Sequence, residues 1–194
     1  MEILWHVSFD KVQEGRFIPR IPENRINQGE YIENDTIKRV CFSNSIENCI
    51  NAMPCGGFAA LGLNEMKKRD YSPIFYGYPL FWDGEREVLE PSEVKKYVYD
   101  AEFNKEYWLT SEIQIKPVVL EMQGLEYSMK ETINGPIVPF ITKLNYDVFK
   151  GEVKDFRSFF KCHKSFSKNS NREILNYVGQ CLQISEVTEN AIRK

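Results

Sequence analysis

Three side chains near the start of the chain have the types and spacing to hold an anion: His6, Ser43 and Ser45. His6 follows the apolar run Ile3-Leu4-Trp5 and precedes Val7-Ser8, so it stands near the carboxyl end of a strand. Lys38-Arg39-Val40-Cys41-Phe42-Ser43 reads as a second strand, and Asn44-Ser45-Ile46-Glu47 opens a helix directly after it. The first turn of a helix leaves backbone N–H groups without partners and carries partial positive charge. One imidazole and two hydroxyls beside such a terminus make a place for a phosphate.

The elements that must position these groups follow from pattern. Asn44 is the predicted N-cap of a capping box closed by Glu47. Ile46, Cys49, Ile50 and Met53 then recur at helical spacing and lay one apolar stripe on a core. Residues 9–36, with Gly15, Pro19, Pro22 and Gly29, form a long connection between the strands, a length usual for functional loops. A second helix is expected over 59–68, a strand over 74–80 and a helical turn opening at Glu90-Pro91-Ser92-Glu93. Further strands are expected over 106–109, 113–122 and 125–133, punctuated by Gln123-Gly124 and Asn134-Gly135-Pro136. After Asp147 the pattern turns helical, with Val153, Phe156, Phe159 and Phe160 on one face. Ile174, Leu175, Val178, Cys181 and Leu182 form the clearest helical stripe. The expected organisation is therefore an α+β domain over 1–147 and a helical C-terminal extension over 148–194 packed on it.

Composition narrows the function classes. The chain has 194 residues, 42% apolar and 13% aromatic, enough to bury a substantial core. Its net charge of −3 is spread over mixed signs, so nothing favours nucleic acid or an anionic membrane. No apolar run approaches the ~20 residues of a membrane helix, and the N-terminus lacks a signal-peptide pattern. A cytoplasmic location is expected, with no membrane partner and nucleic acid unfavoured. Five cysteines at unpaired spacing fit a reducing compartment, where Cys41, Cys49 and Cys181 act as small apolar side chains. Neither CxxC nor HxxxH spacing occurs, so no metal is expected. A thiol hydrolase built on Cys55, or on Cys162 with His163, lacks the sequence context of a nucleophile and a base at useful spacing.

The run Trp5-His6-Val7-Ser8, the long loop, and Arg39-Val40-Cys41-Phe42-Ser43 leading into a helix resemble bacterial ADP-ribosyltransferases of the His-Tyr-acid type, the rifampin-modifying enzymes among them. The likeness covers about the first quarter of the chain. It implies an ADP-ribosyltransferase-like split antiparallel sheet crossed by the 44–53 helix, with NAD as substrate. It implies that His6, beside Ser8, holds a ribose hydroxyl. The family's stacking tyrosine falls at Cys41, and the neighbouring aromatic Phe42 should face the other side of the strand. Two residues compete as the family's acid. Glu112 immediately precedes a strand, and Glu106 lies in Lys105-Glu106-Tyr107-Trp108.

The chemistry explains these residue types. Cleaving the nicotinamide glycosidic bond builds positive charge on the ribose, which a carboxylate stabilises. The same carboxylate can accept a hydrogen bond from an incoming hydroxyl or amine. Arg20, stiffened between Pro19 and Pro22, and Arg39 can grip a diphosphate by forked hydrogen bonds. Each residue also has an ordinary reading: His6 as a strand histidine bonded to a carbonyl, Ser43 and Ser45 as cap residues, the arginines and glutamates as solvated charges. A second function class stands beside the first. A small acidic chain rich in tyrosine and tryptophan suits a non-enzymatic interaction protein of phage or plasmid type, such as an immune-evasion factor that sequesters a cytoplasmic protein partner.

Overall fold

The computed structural model describes residues 2–23, 27–28, 31–53, 56–68, 72–84, 87–131 and 137–150. The expected C-terminal helices, and with them Cys162, His163 and Cys181, lie outside the described residues, as does Cys55. The strands are β1 (Glu2–Ser8), β2 (Arg16–Phe17), β3 (Asn27–Gln28), β4 (Tyr31–Ile32), β5 (Val40–Ser43), β6 (Ile74–Trp82), β7 (Val88–Leu89), β8 (Glu106–Leu109), β9 (Ile113–Gln114), β10 (Val118–Glu131) and β11 (Ile137–Val148). The helices are α1 (Ile46–Ala52), α2 (Gly56–Lys67), α3 (Pro91–Val94) and α4 (Ala101–Asn104).

Seven strands form one antiparallel sheet in the order β11-β10-β6-β1-β5-β8-β7, and two short ribbons, β2 with β9 and β3 with β4, stand apart from it. The expected mixed α+β fold with an antiparallel sheet is therefore present. β1 and β6 lie inside the sheet with both edges paired, and β6, buried along most of its length, reads as a near-continuous apolar run. Pro79, which lacks an N–H, sits in the stretch of β6 beyond its pairing with β10.

Side-chain alternation sorts the core into layers. Trp5 and Val7 point to the face covered by α1 and α2, together with Ile46, Cys49, Ile50, Leu63 and Met66. Leu4, Val40, Phe42, Tyr78 and Leu109 point the other way, beneath Phe17 and Ile115. At the β8 end, Trp108 and Cys41 face Val94, Val98 and Ala101 of the α3–α4 segment.

Several local readings need correction. The N-cap of α1 is Ser45, whose hydroxyl accepts from the Asn48 N–H at 3.1 Å; Asn44 instead accepts from the Asn48 amide side chain. Glu47 closes no capping box: its carboxylate accepts from the Leu144 N–H at 3.0 Å. Close by, the Asn51 side chain donates to the Ile141 carbonyl at 2.9 Å and accepts from its N–H at 2.8 Å. Helix α1 thus occupies main-chain groups in the middle of the outermost strand. The expected 113–122 strand breaks before Pro117, which cannot donate to a ladder. Gln123-Gly124 marks an irregularity inside β10 and does not end it. β11 was not anticipated, although Asn134-Gly135 before an apolar run is a hairpin signal. Helix α2 begins at Gly56, ahead of the expected 59.

Candidate functional site

His6 lies on β1 facing the Phe17 side of the sheet. Its ring meets Phe17, Phe42 and Tyr78 edge-on, with centroids 4.8, 5.9 and 6.1 Å away. Nδ1 lies 2.9 Å from the Cys41 carbonyl, and because a carbonyl can only accept, Nδ1 carries the hydrogen. In the neutral ring Nε2 is then the lone-pair nitrogen, with no hydrogen-bond partner among the described residues. Burial holds the His6 pKa below the usual histidine value; the Cys41 carbonyl opposes this and the positive charge of Arg20 reinforces it. The site therefore presents a neutral acceptor fixed in tautomer and orientation, the form that receives a hydrogen bond from a hydroxyl.

The cover over His6 comes from the long connection after β1. A tight turn at Gln13–Gly15 has Glu14 and Gly15 both at positive φ, and the Gly15 carbonyl accepts from the Ile115 N–H at 2.9 Å. Beyond it, Arg16 and Phe17 pair with Gln114 and Ile113. The Tyr78 hydroxyl accepts from the Val12 N–H at 2.7 Å and fixes the chain entering the turn. Arg16 and Glu112 form an exposed ion pair at 2.6 Å, which holds the Glu112 carboxyl below its ordinary pKa. Glu112 is therefore an ionised carboxylate next to the ribbon whose Phe17 covers His6.

Glu106 is elsewhere. Its side chain shares the α3–α4 face with Cys41 and Trp108, on the opposite side of the sheet from His6. It is 8% exposed and accepts from Trp108 Nε1 at 2.6 Å and from the Cys41 thiol. Burial pushes its pKa up, Trp108 and Cys41 oppose this, and the negative charges of Asp100 and Glu33 add to the rise. Burial likewise raises Asp100 on the same face. The Cys41 thiol is held far above its ordinary pKa by burial and by Glu106, so it is no nucleophile. The two candidate acids thus stand on different sides of the sheet, and only Glu112 adjoins the ribbon over His6.

A carboxyl that folding makes harder to ionise stabilises least once it is ionised. Stability should therefore fall as pH rises from the ordinary glutamate value of 4.5 through the raised value in the fold. Glu106→Gln keeps an oxygen acceptor for Trp108 and should flatten this fall, leaving what Asp100 contributes. Melting temperatures of both proteins across the acid-to-neutral range check it; parallel profiles would show that Glu106 titrates normally.

The remaining predicted residues separate cleanly. Ser8 accepts from the Asp10 N–H at 3.2 Å in a local turn. Ser43 is 2% exposed and donates to the Asn104 carbonyl at 2.6 Å, tying β5 to the α4–β8 junction. Ser45 caps α1. These hydroxyls are engaged in local structure, and the three-group anion cradle expected around the start of α1 does not assemble. Arg39 is enclosed and bound to Glu33, so it cannot reach a diphosphate directly. Arg20 is exposed, its charge adds to the lowering of the His6 pKa, and its side chain has no hydrogen bond or ion pair among the described residues. The sequence reading overlooked Arg16 and Phe17. Glu14-Gly15 was the available turn signal, but the partner strand at 113–114 lies about a hundred residues on.

No family model, curated protein or solved structure matches the chain. The site therefore has to be read from its own geometry. Among the described residues no group of three or more His, Cys, Asp or Glu side chains is placed to hold a metal ion, and no helix is long and apolar enough to cross a membrane.

Proposed function

We propose that this chain is an ADP-ribosyltransferase-like protein that binds NAD or a related nucleotide on its His6 face and transfers ADP-ribose to an acceptor. The observation that carries the reading is the neutral His6, fixed in tautomer by the Cys41 carbonyl and held below the usual histidine pKa by burial, with the charge of Arg20 adding to that lowering. His6 Nε2 accepts from a ribose hydroxyl, and Arg20 takes the diphosphate by a forked contact. Glu112 faces the positive charge that develops on the ribose as the bond to nicotinamide breaks, the bonding electrons leaving with the nicotinamide. The acceptor's nucleophile forms the new bond to the ribose and releases its proton to water. Phe42 is the β5 aromatic on the His6 side and supplies a ring where the resemblance expects a tyrosine one residue earlier.

Calorimetry with NAD, ADP-ribose and nicotinamide tests the reading. His6→Gln, chosen because three rings close on this position and alanine would leave a void, should weaken ADP-ribose binding while the melting temperature changes little. Glu112→Gln should lower NAD turnover by ~100-fold with NAD affinity retained. Failure of all three ligands to bind the wild type would discard the nucleotide reading. It would favour the second one, an interaction protein that sequesters a cytoplasmic partner. That alternative draws its support from exposed aromatics such as Tyr99, Phe103 and Tyr127, which stand 64%, 57% and 50% open.

A further inference from the structure

His6 is half-buried, and part of what buries it is a ring from outside the main sheet. Phe17 is 7% exposed and meets His6 edge-on with centroids 4.8 Å apart; it meets Tyr78 in the same way at 4.9 Å. Rings at these separations are in van der Waals contact, so nothing fits between them. A sugar can lie against the His6 ring only after Phe17 has moved aside.

Phe17 belongs to a piece of structure bonded chiefly to itself. β2 and β9, two residues each, form a ribbon separate from the seven-stranded sheet. Arg16 pairs with Gln114 and Phe17 with Ile113. The Ile115 N–H donates to the Gly15 carbonyl at 2.9 Å, and the Gln114 side-chain amide donates to the Glu14 carbonyl at 3.1 Å. The exposed Arg16–Glu112 ion pair adds another tie within the ribbon. Toward the sheet the ribbon offers packing: Phe17, Ile113 and Ile115 lie in one apolar layer with Phe42 and Tyr78. Apolar contacts can part and re-form without leaving a polar group unsatisfied. Fixed points bound the stretch on each side. The Val12 N–H donates to the Tyr78 hydroxyl at 2.7 Å before it, and Arg20 and Arg39 exchange backbone hydrogen bonds of 3.0 and 3.2 Å after it. On the other strand, β8 ends at Leu109 and β10 begins at Val118. Residues 13–19 and 110–117 thus lie between anchors and are joined to one another.

We propose that the β2–β9 ribbon is a lid over His6: the two stretches lift from the sheet as one unit, withdraw Phe17, and close again over a ligand. That this ligand presents a ribose to His6 rests on the nucleotide reading above, whereas the lid can be tested with no ligand at all. Glu112 rides on the ribbon, so closure carries its carboxylate with the cover.

The test is carbethoxylation of His6 by diethylpyrocarbonate in the full chain, located by peptide mass because the sequence also holds His163. The reagent attacks through the lone pair of a neutral imidazole, so its rate reads how often the cover is off. Wild-type His6 should react slower than in the urea-unfolded chain by about tenfold or more. Phe17→Ala should speed the folded protein roughly tenfold by removing the ring. Tyr78→Phe keeps its own ring, loses the anchor to Val12 and should speed it several-fold; it decides the matter if Phe17→Ala does not fold. The Cys49 thiol, 7% exposed on the opposite face of the sheet, should stay as slow toward a thiol reagent in both variants as in the wild type. Wild-type His6 reacting at the unfolded rate, or variants that leave its rate unchanged, would overturn the lid. So would a rise shared by Cys49, which marks unfolding of the whole domain. NMR relaxation dispersion should also give Phe17, Ile113 and Ile115 one common exchange rate, and flat profiles there would mean a fixed cover. ADP-ribose should shield His6 from the reagent. Wild type that binds no ADP-ribose would refute the nucleotide reading, and the reagent rates would still decide the lid.

Discussion

Arg39→Ala is expected to lower the unfolding free energy by about 3–5 kcal/mol, the range for breaking a buried ion pair from one side. The substitution takes the Arg39 guanidinium away from the Glu33 carboxylate, 15% of whose side chain is exposed, and it strips the support from one face of Trp108. It also opens a void in the packing between the 33–39 segment and β8. Domains of this size have about 5–15 kcal/mol in hand, so the variant should be marginal at 37 °C. Urea unfolding followed by tryptophan fluorescence measures the loss. A loss under about 1 kcal/mol for Arg39→Ala would mean that the pair is solvated in solution and not enclosed.

Gly15→Ala is expected to be the next most damaging single change, at about 2–4 kcal/mol from left-handed strain plus a main-chain collision. Gly15 sits at φ +62°, and a Cβ there would overlap the Ile115 carbonyl oxygen, an atom held in a backbone bonded to Gly15 itself. The turn cannot relax without parting the β2–β9 ribbon, which carries Phe17 over His6. The damage should therefore appear in two measurements at once. Urea midpoints should fall, and the His6 pKa should rise toward the ordinary histidine value as its cover loosens, since burial is the main cause of its depression. Lower stability with an unmoved His6 titration would separate the turn from the site.

What the sequence made legible was local. The strand before His6, the stripe of Ile46, Cys49 and Ile50, and the Pro91 turn each depend on residues a few positions apart, and each is present. The N-cap slipped by one because Asn44 and Ser45 are both good caps, and only tertiary contact assigns Glu47 to Leu144. What could not be read was which side of the sheet a residue faces once strands far apart in sequence are paired. His6 and Glu106 look equally available in the chain. The pairing of Ser43 with Glu106 and of Cys41 with Trp108 turns the second of them toward α3 and α4. Arg39 looked like a surface cation for the same reason, since its enclosure comes from Glu33, the Asn34 and Ile37 carbonyls and Trp108 together. Arg16 and Glu112 illustrate the limit most plainly, because nothing within either segment announces the other.

The contacts of Asn51 and Glu47 with Ile141 and Leu144 have an implication for assembly. Sheets that end in unsatisfied peptide groups recruit strands from other chains, and this is the route to domain exchange and to fibrils. Here one flank is plugged at its centre by helix side chains that mimic a neighbouring strand, and the opposite flank ends in β7, only two residues long. Among the described residues, neither flank of the seven-stranded sheet offers a long template. A macromolecule that docks against this sheet should therefore meet it side chain to side chain, with specificity written in surface residues and not in backbone pairing.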